Sequence, residues 1–325
     1  MSFRVNLDFD QALQKNNPRY ENPRINKAFE YIFILLNESE ENELYNYNDY
    51  EESYLTYLSA KGFVIPRFNK GGKYSNWWGN TDEFELGRKL NSKIETSLFA
   101  HNNDLCPSGL TIINNEAELV SATDSDESTR FYYRSEYGFS GMGNKVIEVN
   151  KKYSLRYPGT LVNYLNKELS FGITVDLKTM KYFICENTID DRGTFCGGRI
   201  IDETFLASLL GITREKFIEE LLVVFEKIRR QYGPLKIQFD SMIYKEESIN
   251  KWYKLVEINY RRTMAEVIYQ LHSKQGRGKW VIEKNIYTDK SISELETILE
   301  KQSKKNIVVT SPSDAPLLSY YQTEK

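Results

Sequence analysis

Two runs in the C-terminal half alternate apolar and polar residues with the two-residue period of a half-buried strand. They are Leu235-Lys236-Ile237-Gln238-Phe239-Asp240-Ser241-Met242-Ile243-Tyr244 and Leu255-Val256-Glu257-Ile258-Asn259-Tyr260-Arg261. The polar stretch 245–251 between them reads as a hairpin loop. Elsewhere the period is helical. From Arg214 to Tyr232, residues Phe217, Leu221, Val224, Phe225 and Ile228 recur at core spacing, with Thr213 as the cap and Gly233-Pro234 as the stop. Residues 88–99 place Leu90, Ile94 and Leu98 on one side of a helix. Further helices are predicted over 26–37, from Thr263, and over 291–302. Residues 60–67 read as a strand, 171–177 and 182–186 as a hairpin, and Ile307-Val308-Val309 as a short final strand. The mixture predicts an α/β (α+β) protein of two or three lobes.

Side chains alternate across a strand, so Glu257, Asn259 and Arg261 share one face and Val256 and Ile258 take the other. If the hairpin centres near Ser248 and Ile249, Asp240 stands opposite Glu257, with Cβ atoms about 5 Å apart. Carboxylates that close repel unless a cation lies between them. Magnesium takes one or two protein carboxylates and fills its shell from water and phosphate. The alternative is a surface pair softened by Lys236 or Lys254.

Upstream, residues 130–149 read strand, glycine loop, strand. Gly138, Gly141 and Gly143 permit positive φ and close backbone approach. Successive N–H groups in such a loop can cradle an anion, although a glycine hairpin that only turns the chain has the same composition. No helix follows at once, so the loop is neither a Walker loop nor a Rossmann fingerprint.

The order of these parts is specific: an aromatic strand ending in a cation, a Ser-Gly-x-Gly loop, an Asp-bearing strand about a hundred residues on, then Glu-x-Asn-x-Arg. It resembles the ATP-grasp superfamily of ATP-dependent ligases, from about Asn91 to Met264. The resemblance implies an N-terminal α/β lobe over 1–105, a glycine-loop lid over 106–160 and a C-terminal antiparallel-sheet catalytic domain over 161–325. It implies that Ser140, Gly141 and Gly143 cover the phosphates of ATP and that Arg134 and Lys93 touch them. Asn163 takes the place of a sugar-binding residue in the strand Leu161-Val162-Asn163-Tyr164-Leu165. Asp240, Glu257 and Asn259 hold Mg2+, with Glu257 and Arg261 as the catalytic residues and Arg261 steadying an acyl phosphate. Arg134 stands where the family has Lys, and Asn163 where it has Glu. The implied activity joins a small-molecule or peptide carboxylate to an amine co-substrate through an acyl phosphate. Alternatives are a small-molecule kinase of the same architecture and a non-catalytic nucleotide-binding protein.

Composition narrows the field further. The chain has 325 residues, 40% hydrophobic and 27% charged, with a net charge of −3. These are ordinary globular values with no overall pull towards nucleic acid or an anionic membrane. The longest apolar run, near residues 31–36, is too short to span a bilayer. Met1-Ser2-Phe3-Arg4-Val5-Asn6 has no apolar signal core. Cys106, Cys185 and Cys196 form neither a disulfide framework nor a CxxC pattern, which predicts a reducing, cytoplasmic setting. His101 and His272 lie in unrelated contexts, which argues against a Ser-His or Cys-His hydrolase. Trp77 and Trp78 read as packing residues first and as a substrate-facing pair second.

Overall fold

The computed structural model describes residues 1–124, 130–138, 141, 143–149, 151–190 and 193–324. It begins with a small α/β layer: β1 (Ser2–Arg4), α1 (Phe9–Lys15), α2 (Pro23–Phe29), α3 (Ile32–Leu36), β2 (Glu43–Tyr45), α4 (Glu52–Ala60), β3 (Arg67–Asn69) and β4 (Ser75–Asn76). The strands run parallel in the order β3-β2-β1-β4. The helix expected over 26–37 is two helices, α2 and α3. Buried Glu30 lies at the break and accepts hydrogen bonds from the Tyr47 and Asn48 amides and the Tyr50 hydroxyl. Those partners are distant in sequence, so periodicity could not place the break. The strand expected over 60–67 is also absent: α4 runs to Ala60, Phe63 enters the core, and β3 begins only at Arg67.

Two helices follow, α5 (Phe84–Asn91) and α6 (Lys93–Asn102). Ser92 divides what reads as one helix. Its hydroxyl oxygen accepts the Glu95 N–H as an N-cap and its proton goes to Glu136. This break sets Lys93 at the first turn of α6.

A second sheet comprises β5 (Thr111–Ile113), β6 (Arg130–Ser135), β7 (Asn144–Glu148) and β8 (Gly159–Asn163), with α7 (Glu116–Asp124) beside it. The order is β5-β8-β6-β7, antiparallel throughout, over a core of Ile113, Leu119, Phe131, Tyr133, Ile147 and Leu161.

The remainder builds an eight-stranded antiparallel sheet in the order β13-β12-β9-β10-β11-β14-β16-β15. Its elements are β9 (Asn166–Asp176), β10 (Lys181–Ile189), β11 (Phe195–Ile201), α8 (Glu203–Leu210), α9 (Arg214–Tyr232), β12 (Lys236–Glu246), β13 (Ile249–Asn259), α10 (Met264–Gln275), β14 (Gly278–Lys284), α11 (Ile292–Ser303), β15 (Ile307–Val309) and β16 (Leu317–Thr323). Helix α9 has the expected bounds, capped by Thr213, and buries Phe217, Leu221 and Phe225 against Phe171, Phe239 and Ile258 on one face of the sheet. The other face receives α10 and the N-terminal layer, where Val267, Leu271 and Trp280 meet Ile34 and Leu58. The last strand is β16 and not residues 307–309; it pairs with both β14 and β15. Among the described residues no helix is long and apolar enough to cross a membrane.

Candidate active site

The β12–β13 hairpin carries the acidic residues. Its loop is shorter than the sequence suggested: β12 runs to Glu246, β13 starts at Ile249, and Glu247 and Ser248 turn the chain with φ of 49° and 72°. Two successive positive φ values are what a two-residue type I′ turn demands. From this turn the ladder pairs Glu246 with Ile249 and Met242 with Tyr253; continued unchanged, it would set Asp240 opposite Leu255. A bulge intervenes. Ser241 alone faces residues 254–256, and beyond it Asp240 pairs with Glu257, Phe239 with Ile258 and Gln238 with Asn259. The two extra residues turn Leu255 into the core and bring the carboxylates into register.

Asp240 is pressed from both sides. The Gln238 Nε2 donates to its Oδ1 at 3.0 Å, and the Asn259 Nδ2 lies 3.4 Å from its Oδ2. On the neighbouring strand its partner is Gly172. A Cβ there would come within 2.7 Å of Gln238 Nε2 and 3.3 Å of Asp240 Oδ1, so the missing side chain is what makes room. Burial and then the facing Glu257 push Asp240 up to about 7, against the partial offset of Gln238 and Arg261. Burial pushes Glu257 up as well, but Lys93, Arg134, a hydrogen bond with Asp240 and Arg261 together outweigh it and hold Glu257 below the usual carboxylate range. The Glu257 side chain keeps 24% of its surface, and it lines the cleft. Burial and repulsion thus favour the neutral form of Asp240, while the surrounding cations favour the charged form of Glu257.

Four separate segments close around this pair. The cleft is lined by Asp10 of α1, Asn91 and Lys93 at the α5–α6 junction, Gly138 after β6, and Glu257 and Asn259 of β13. Lys93 is only 4% exposed; its Nζ donates to the Gly138 carbonyl at 2.8 Å and lies 3.6 Å from Glu257. Gly141 and Gly143 both adopt positive φ, 76° and 83°, and the Gly143 carbonyl accepts from the amide and the hydroxyl of Ser135. Ser140 lies outside the described residues. Arg261 has its Nε 2.9 Å from Asp10 and its Nη1 3.0 Å from the Arg262 carbonyl. Its guanidinium lies 5.8 Å from the Trp78 ring, while Arg262 covers Trp77 at 4.8 Å. The tryptophans thus pack the N-terminal layer against the two arginines that follow β13.

Of the described candidates, Lys93, Glu257 and Asn259 line the cleft itself; Asp240, Arg261, Gly141, Gly143, Asn163 and Arg134 do not. Asn163 pairs with Phe131, three residues along β8 from Thr160, the partner of Arg134, and its amide faces Gly109. The Arg134 guanidinium is 3% exposed and donates to the Val256 carbonyl and the Ser97 hydroxyl, each at 2.9 Å. Conversely, the site also draws on Asp10, Gln238 and Gly172, which the sequence motif does not include. Asp10 reaches Arg261 across 251 residues, and no local pattern encodes such a contact. Gln238 was discoverable: it lies two residues before Asp240 on the same strand face.

The donor set suits magnesium. Two carboxylates face each other, the Asn259 amide adjoins them, and the buried Gln238 Oε1 has no hydrogen-bond donor. Hard oxygen donors of this kind fit that ion, and its charge would relieve the repulsion that, after burial, lifts Asp240. Among the described residues no group of three or more His, Cys, Asp or Glu could hold a metal, so the site depends on amide oxygens. A Gly172→Ala substitution is expected to push the Gln238 amide off Asp240. Losing that hydrogen bond raises the Asp240 pKa further, so the pH midpoint of Mn2+ binding should move upward while the urea midpoint changes little, because a flexible side-chain end is what must shift. An unchanged pH midpoint would show that Gly172 has no such role.

No known family model matches the chain, and no curated protein matches it in sequence. Solved structures do match in fold. N5-carboxyaminoimidazole synthetase from Staphylococcus aureus, complexed with ADP, superposes with a TM-score of 0.50 at 11% identity, covering 100% of this chain and 93% of that one. The biotin carboxylase domain of the 2-oxoglutarate carboxylase from Hydrogenobacter thermophilus, in complex with MgADP, ADP and bicarbonate, superposes with a TM-score of 0.51 at 11% identity, covering 99% of this chain and 86% of that one. The chain has the ATP-grasp fold.

Proposed function

We propose that the protein is an ATP-dependent ligase that joins a carboxylate to an amine, with the nucleotide phosphates held between the glycine turn after β6 and the β12–β13 hairpin. The observation that carries this reading is the bulge that places Asp240 opposite Glu257, which lines a cleft together with Lys93. A structural surface pair needs no bulge, no glycine opposite and no buried lysine beside it. The ADP named with both solved neighbours agrees with the reading.

Each residue has a task in this scheme. Asp240, Glu257 and Asn259 would hold magnesium, which draws charge from the phosphates. Lys93, buried beside Glu257, presents a compact charge to a phosphate oxygen. Gly141 and Gly143 allow the backbone close to the phosphates. Arg261, held by Asp10 and the Arg262 carbonyl, offers its remaining N–H groups to the carboxylate that becomes an acyl phosphate. The amine then displaces phosphate and the amide forms. Positioning and charge neutralisation supply most of the acceleration in such transfers.

The test is phosphate release from ATP against pools of small acids and amines, with mass spectrometry of the products. A condensed product that requires both pools supports the ligase. A stable phosphorylated product without an amine requirement identifies a kinase. Tight ATP binding with no phosphate release under any pool supports a nucleotide-binding protein without turnover. That second reading draws on Arg134, whose hydrogen bonds go to protein groups, and on Asn163, which lies away from the cleft lining.

A further inference from the structure

We propose that Arg134 is a positioning residue: it fixes the bulge in β13, and so the register of Glu257 with Asp240, and does not grip the nucleotide. The consequence for catalysis rests on the ligase reading, but the clamp itself does not. The turn at Glu247-Ser248 sets a register that would miss, and only the extra residues at 254–256 correct it. A bulge takes backbone groups out of the ladder, and each buried one needs another partner. Three find one. The Ser241 hydroxyl donates to the Lys254 carbonyl at 2.5 Å, the Leu255 amide donates to the Leu105 carbonyl at 3.1 Å, and Arg134 Nη1 donates to the Val256 carbonyl at 2.9 Å.

Arg134 is the only one of these partners that comes from the second sheet, and Val256 is the residue directly before Glu257. Its other terminal nitrogen, Nη2, holds Ser97 on α6, one helical turn after Lys93. One planar group thus ties together the elements that supply Lys93, Gly138 and Glu257. Both Nη atoms are committed within a site that is 3% exposed. A lysine has one point of attachment and cannot bridge a carbonyl and a hydroxyl in this fixed fork. At a phosphate the reverse holds, since a lysine ammonium binds phosphate well as a point charge.

Arg134→Lys separates the two roles while keeping the charge. Hydrogen exchange in the segment 253–259 is the primary measurement. Exchange in the variant is expected to be at least about tenfold faster there, with segments of α9 unchanged. Nucleotide-free Mn2+ affinity is expected to fall about 10- to 100-fold, as on loss of a group that orients a metal ligand, while ADP affinity without metal stays within about twofold of wild type. Unchanged exchange in 253–259 overturns the proposal, as does a loss confined to ADP affinity. Should Arg134→Lys not fold, Ser97→Ala removes one anchor of the guanidinium and is expected to show the same faster exchange to a lesser degree; no change in that variant also overturns the clamp. A wild-type protein that binds neither Mn2+ nor ATP would sink the ligase reading, and the exchange result would still decide the clamp.

Discussion

Replacing Glu257 with Gln is expected to lower ATP turnover by about two to three orders of magnitude, the usual effect of removing one preorganised charge from a reacting centre, while the melting temperature of the metal-free protein stays within a few degrees of wild type. The substitution keeps shape and removes charge. Two opposed effects then act on stability. Asp240 loses the facing carboxylate that raises it, which stabilises the folded state at neutral pH. Lys93 loses the partner 3.6 Å away and keeps the Gly138 carbonyl. Because the effects partly cancel, activity and stability should separate, as they do at sites that hold like charges together for a purpose. Magnesium should also lose most of its power to raise the melting temperature, since binding to the native state is what stabilises. Calorimetry with and without Mg2+, beside a turnover assay, checks all three. Full turnover in Glu257→Gln would remove the carboxylate pair from the mechanism.

Metal affinity should depend steeply on pH because of Asp240. Its carboxyl is raised to about 7 by burial and by Glu257, so below that pH a metal must displace the proton the pair holds. Well below that pKa one displaced proton lowers apparent affinity about tenfold per pH unit, which makes roughly 50-fold between pH 7 and pH 5, and the curve should flatten above pH 8. The sign for stability is the opposite. A carboxyl whose pKa is raised on folding contributes stability that is fully present below its unfolded pKa, near 3.8, and is lost as pH rises through about 7. The metal-free protein should therefore lose this contribution towards neutral pH, and added Mg2+ should raise the melting temperature more at pH 8 than at pH 5. Mn2+ titrations across pH test the first statement and thermal melts the second. Asp240→Asn is expected to flatten both dependences, and a variant that keeps them would place the titrating group elsewhere.

Patterns confined to a few neighbouring residues were legible in the chain. The 3.6-residue period and its flanking Thr213 and Gly233 placed α9 correctly, because cap, core spacing and stop all lie within one element. The pairing of Asp240 with Glu257 was reached from a turn placed one residue too late and with no bulge. The true turn at Glu247-Ser248 and the bulge at 254–256 offset each other, so the register was right although both of its causes were missed. Glutamate and serine are poor advertisements for positive φ, and a bulge leaves no mark in composition.

By itself the sequence determined the local periods, the glycine turn and the order of acidic, amide and basic residues, because each depends on side chains within a few positions of one another. Only the tertiary structure decided that Asp10 holds Arg261, that Gly172 makes room for Asp240, and that the Arg134 guanidinium is spent on Val256 and Ser97. Those outcomes depend on which surfaces bury together. A guanidinium or a carboxylate acquires its partner from whatever segment the packing brings alongside, at any distance along the chain.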